Sequence, residues 1–137
     1  MKIKLLLAAA VIGSAVIFFG CFREKSLPNQ AEVSDAVAAE AVVAAQEVLS
    51  LAQSKKDRDF VKKTVDFKKN RDGYYECYLL LQNVRPAADA KWKVRQEKSN
   101  GNINVICPLN KKRDLLIVLQ RQTDNKLKFA FACTLNS

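Results

Sequence analysis

Two periodicities divide the chain. Between residues 30 and 54 apolar positions recur every three or four residues, and Val33, Val37, Ala41, Ala44, Val48 and Leu51 fall on one stripe. Glu32, Asp35, Glu40, Glu47 and Ser50 lie largely opposite, and neither Gly nor Pro interrupts the run. The pattern predicts an amphipathic helix. Asn29 supplies an N-cap, Glu32 three residues on can close a capping box, and Lys55 and Lys56 follow the last turn, where cations suit the helix dipole. Its alanines allow close approach to another surface, most naturally a sheet.

From about residue 60 the period shortens to two. Six strands are expected, at 61–68, 74–83, 91–96, 102–107, 115–121 and 126–134. Turn residues punctuate them: Asn70 to Gly73, Pro86, Asn100-Gly101, Pro108 to Arg113, and Thr123 to Asn125. The connections are too short for crossover helices, so successive strands should pair antiparallel. Alternation puts Val65, Phe67, Tyr75, Cys77, Leu79, Leu81, Trp92, Val94, Ile103, Val105, Cys107, Leu115, Ile117, Leu119, Leu127, Phe129, Phe131 and Cys133 on one buried face. Lys91, Lys93, Arg95, Gln120 and Lys128 take the other, which makes it partly basic. The predicted class is α+β: one N-terminal amphipathic helix packed on an antiparallel β-meander of about five to six strands. In element order alone this resembles the cystatin-like helix-on-sheet arrangements.

Ahead of the helix the pattern is of another kind. Lys2 and Lys4 precede an uninterrupted apolar block at 5–19, followed by Gly20 and Cys21. A basic start, a short apolar stretch and a small residue before a cut is the layout of a secretory signal. The uncharged run 5–22 would span about 27 Å as a helix, just short of the ~30 Å hydrocarbon core, so an uncleaved anchor is the alternative. Gly20-Cys21 after an apolar run resembles the lipobox of bacterial lipoproteins. Phe18 and Phe19 stand where that pattern usually has small or aliphatic residues. The resemblance implies acylation of the Cys21 thiol, cleavage just before it, and a membrane-tethered N-terminus. Phe22 in place of aspartate resembles the pattern of outer-membrane retention. The expected layout is therefore a signal at 1–20, a tether at 21–28, and one helix-plus-sheet domain at 29–137.

Charge is unevenly distributed. The net charge is +9, yet residues 26–54 carry four acids and no base, while 55–137 carry 19 Lys or Arg against nine Asp or Glu. An acidic helix joined to a basic domain can pack by that polarity, or can attract an acidic protein or an anionic envelope surface. Lys91, Lys93 and Arg95 on one strand, and the dense run Lys111, Lys112 and Arg113, are the candidate residues for such a partner. The aromatics fall mainly on the buried parity, which argues against a nucleic-acid surface.

Candidate chemistry is sparse. The chain has no histidine, which excludes Ser-His-Asp and Cys-His catalysis and histidine-ligated metals. Its four glycines form no phosphate-binding loop. Asp57, Asp59, Asp72 and Glu76 are interleaved with Lys55, Lys56, Arg58 and Arg71 and read as solvated ion pairs. Three cysteines remain beyond Cys21, too widely spaced for a zinc site. Export to an oxidising compartment favours a disulfide, with Cys107 and Cys133 as the expected pair and buried thiols as the alternative. In a simple meander these two stand two strands apart, about 9.6 Å, beyond the ~7 Å Cα limit for the bond. The expectation is thus a non-enzymatic, exported, membrane-tethered envelope component, without metal or cofactor, that binds or assembles. The alternatives are a soluble periplasmic or secreted binding or inhibitor module and a protein held by its N-terminal helix.

Overall fold

The computed structural model describes residues 21–23 and 29–136. The predicted signal at 1–20 and most of the tether lie outside the described residues. Two short strands, β1 (Cys21–Arg23) and β2 (Gln30–Ala31), precede the helix α1 (Asp35–Gln53). Then come α2 (Asp57–Lys62), a 3-10 turn at Phe67–Lys69, and α3 (Arg71–Gln82). Four strands complete the chain: β3 (Lys93–Glu97), β4 (Ile103–Pro108), β5 (Arg113–Arg121) and β6 (Leu127–Asn136). They form a six-stranded sheet in the order β1-β6-β5-β4-β3-β2. Every pair is antiparallel except β1 with β6. The α+β class and the helix packed on an antiparallel meander are as the sequence predicts.

α1 starts later than expected. Ser34, not Asn29, is its N-cap, with Oγ accepting from the Val37 amide at 3.2 Å. Residues 30–31 are drawn into the sheet edge instead, where Gln30 and Ala31 pair with Glu97 and Gln96. The same holds for Cys21–Arg23, read from sequence as tether and found as a strand beside Thr134–Asn136. α1 buries Ala41, Ala45, Val48, Leu49 and Ala52 at helical spacing, and Val37, Ala44 and Leu51 pack at the margin of the core.

Two of the expected strands do not form, and one of them is helical. Of the expected strand 74–83, all but Asn83 belongs to α3, which buries Tyr74, Cys77, Tyr78 and Leu81 and leaves Tyr75 and Leu79 exposed. The same stretch satisfies period two through Tyr75, Cys77, Leu79 and Leu81, and period 3.6 through the buried set. Helix wins because α1 and β6 offer an apolar surface along which one side of a cylinder fits. Of the expected strand 61–68, a single parallel bridge from Thr64 to Phe129 is strand-like. The Val65 amide donates to the Phe129 carbonyl at 2.9 Å, and the Phe129 amide to the Lys63 carbonyl at 2.7 Å. Phe60 from α2 and Tyr74 from α3 both pack on the ring of Phe129, at 5.6 and 6.0 Å between centroids.

The sheet is apolar on both sides. Register places Val94, Val105, Ile117 and Ala132 on one row and Cys107, Leu115 and Thr134 on another of the same face. Ile106, Leu116 and Cys133 share a row on the opposite face, and all three are buried, as is Leu135. The expected basic face is therefore basic only at its margins, through Lys93, Arg95 and Lys128. Central strands covered on two sides read as continuous apolar runs, such as Leu115 to Leu119, and alternation along them carries no face information. A bulge adds to this. Val118 pairs with Phe131 but Leu119 pairs with Phe129, so Ala130 is extra and β6 changes parity there. Phe129 shares the face of Leu119 and Ile117, while Phe131 and Cys133 lie on the opposite one.

Candidate functional site

Where α1 leaves the sheet, a groove opens. β2 pairs with β3 only at Gln96 and Glu97, after which the chain peels off through Glu32 and Val33 into the helix. The rest of β3 keeps β4 on one side and has its other edge facing the groove. The cavity measures about 760 Å³ between that edge and the first half of α1. Its floor is apolar, with Val33, Ala38 and Val42 on the helix side and Trp92 and Val94 on the strand side. Val43, 65 % exposed, stands on the helix rim.

The hydrogen-bond alternation of an antiparallel ladder fixes which backbone groups point into the groove. The Glu97 amide donates to the Asn102 carbonyl at 2.8 Å, so Glu97, Arg95 and Lys93 turn their backbone groups toward β4. Gln96, Val94 and Trp92 turn theirs outward. Gln96 meets Ala31 there. The Val94 carbonyl accepts from Arg95 Nη1 at 2.9 Å, which places a guanidinium over the open edge. Charged side chains at such edges are a common guard against indiscriminate strand pairing.

Charge is sorted across the groove. Glu32 and Asp35 stand on the helix side, and Lys91, Lys93 and Arg95 on the strand side. By the strand parity, the three cations lie toward the far face of the sheet and Trp92 and Val94 toward the helix. The structure thus gathers the first of the two expected basic clusters on one wall. The second, Lys111, Lys112 and Arg113, sits apart at the end of the β4–β5 connection and the start of β5, where Arg113 Nη2 donates to Thr134 Oγ1 at 2.6 Å. Cys21, the expected lipidation site, lies on the opposite edge of the sheet, paired with Thr134 of β6.

Cys107 and Cys133 are not brought together. They lie on β4 and β6 with β5 between, and on opposite faces of the sheet. Ordinary strand spacing and the parity change at Ala130 both separate them. Cys77, Cys107 and Cys133 are all buried. Cys77, placed by α3 instead, donates its thiol to the Ala132 carbonyl at 3.6 Å, beside a cavity of about 140 Å³ lined by Gly73, Glu76, Leu80 and Phe131. Burial pushes its pKa up to about 12, and burial with the Asp114 carboxylate pushes that of Cys107 to about 11. Neither thiol is poised as a thiolate nucleophile near neutrality.

Sequence reasoning placed Trp92 in the core and passed over Val43. The available signal is Val43 lying off the Ala41, Ala45, Val48 line, while Val42 packs at the margin of the core. Among the described residues no group of three or more Cys, Asp or Glu could hold a metal, and no helix is long and apolar enough to cross a membrane. No family model, curated protein or solved structure matches the chain.

Proposed function

We propose that this protein is a non-enzymatic binding component of a bacterial envelope, exported and tethered through lipid at Cys21, which takes its partner in the groove between α1 and β3. The observation that carries the binding reading is the groove itself. It combines an apolar floor, a β3 edge that no described strand pairs beyond Gln96, and oppositely charged walls, the mix of features by which recognition sites hold and orient a ligand. The tether rests on the basic start, the apolar block at 5–19 and Gly20-Cys21.

A fatty-acid label chase on the wild type and Cys21→Ser tests the tether. The wild type takes label and migrates as a processed chain, and Cys21→Ser takes none. An unlabelled wild type in a lipoprotein-processing host would overturn it.

A further inference from the structure

We propose that the groove binds its partner by strand addition, and that the partner is an extended segment in which apolar and acidic residues alternate. This rests on the binding reading above and not on the lipid at Cys21.

Strand addition follows from the ladder. An incoming strand placed the usual ~4.8 Å from β3 meets the outward amides and carbonyls of Val94 and Trp92, in continuation of the Ala31–Gln96 pair. β2 already demonstrates this pairing for two residues and then diverges, so the added strand takes the place that β2 leaves. The small residues Ala38 and Ala39 line the helix wall and leave room for a backbone. Helices that pack directly against a strand would put bulkier side chains there.

The alternation of the ligand follows from the sorting of the walls. In any strand added to β3, successive side chains point to opposite faces. Those on the helix side meet Val33, Val42 and Trp92, where apolar groups remove water from apolar surface. Those on the far side meet Lys91 and Arg95, where carboxylates find cations. On binding, the Arg95 guanidinium leaves the Val94 carbonyl for a ligand carboxylate, and the ligand's own amide takes over that carbonyl. An edge guarded by its own arginine thereby admits acidic strands and rejects basic ones. Glu32 and Asp35, on the helix wall, disfavour carboxylates in the other register and so fix which parity is acidic.

Trp92 is the chain's only tryptophan and lies in the groove, so its fluorescence reports occupancy directly. The experiment titrates the full-length chain with two eight-residue peptide libraries, one alternating Glu with mixed aliphatic residues and one alternating Lys with the same residues. The expected result is a saturable change with the Glu library and at least tenfold weaker response to the Lys library. Lys91→Glu combined with Arg95→Glu inverts that preference. N-methylation of alternate amides in the Glu peptides weakens binding at least tenfold, and binding weakens with added salt. Equal response to both libraries, no saturable response, or indifference to N-methylation would overturn the proposal. So would sedimentation showing that a second copy of the chain occupies the edge. If the charge-reversed variant melts early, the wild-type salt and N-methylation measurements decide alone. Saturable peptide binding by a wild type that takes no lipid label would remove the tether and leave the groove standing.

Discussion

Cys77 packs under β6 with its thiol against the Ala132 carbonyl, and burial holds it protonated well above the ordinary 9.0, to about 12. Cys107 shifts the same way, to about 11, and Tyr74 and Tyr78 are also raised, chiefly by burial. The sign of the linkage is set by these directions. The native state keeps protons that the unfolded chain gives up, so the contribution to stability is complete below pH 9 and falls as pH climbs toward 12. Urea melts at pH 8 and pH 10.5 should show a lower midpoint at the higher pH, with a smaller drop in Cys77→Ala than in the wild type. Equal drops would refute a role for Cys77. Asn104 offers a second residue-scale test. It is 1 % exposed, its amide donates to Gln30 Oε1 at 3.3 Å, and its Oδ1 has no partner among the described residues. An unsatisfied buried acceptor costs roughly 1–3 kcal/mol, so Asn104→Val should be neutral or stabilising by about 1 kcal/mol despite losing Gln30. A loss of stability beyond about 1 kcal/mol in a denaturant melt would count against that.

At the scale of elements, α3 is where two periods compete for one stretch of chain. A strand would put Tyr75 and Leu81 on the same face, whereas the helix exposes the first and buries the second completely. Leu81→Ala should therefore cost about 2–5 kcal/mol and Tyr75→Ala within about 0.5 kcal/mol. Comparable losses at both would favour the strand. Gln53 ties the end of α1 to the end of α3 through Nε2, which donates to the Val84 carbonyl at 2.8 Å. No local pattern announces such a contact, because its partners are 31 residues apart. The bulge at Ala130 is equally silent in sequence, since an extra residue in an apolar strand looks like any other. Its deletion should slip one half of β6 by a residue and turn its side chains to the wrong faces. A severe drop in melting temperature is expected, and a shift of only a few degrees would show that β6 tolerates either register. What the alternation could reveal was the existence of β3 to β6 and their turns. Asn100-Gly101 and Thr123 to Asn125 mark hairpins as expected, with Gly101 and Asn125 at φ of 76° and 68°.

For the whole molecule, ion pairs join the acidic helix to the basic remainder. Arg121 Nη1 reaches Glu40 Oε2 at 2.7 Å, and Lys63 Nζ reaches Glu47 Oε1 at 3.2 Å. Both pairs are partly exposed and each contributes little, on the order of 0–1 kcal/mol. Glu47→Gln should change the melting temperature by no more than a few degrees, and a larger drop would show that charge, rather than apolar burial, holds α1 to the domain. The acids at the start of α1 do different work. Glu32 and Asp35 line the groove on one side, and Lys91, Lys93 and Arg95 line it on the other. Uneven charge was legible as a number, but its division into contacts that close the fold and walls that border a groove was not.

Composition and local pattern by themselves determined the α+β class, the helix, the four C-terminal strands and their turns, because those follow from short-range periodicity and turn chemistry. They also determined the layout at Gly20-Cys21 from which the tether is inferred. Only the tertiary structure decided that 71–82 is helical, that both sheet faces are buried, that Cys107 and Cys133 face apart, and that β2 abandons the edge of β3 after two residues. Each of those depends on which surface a segment meets, and segments far apart in sequence supply that surface.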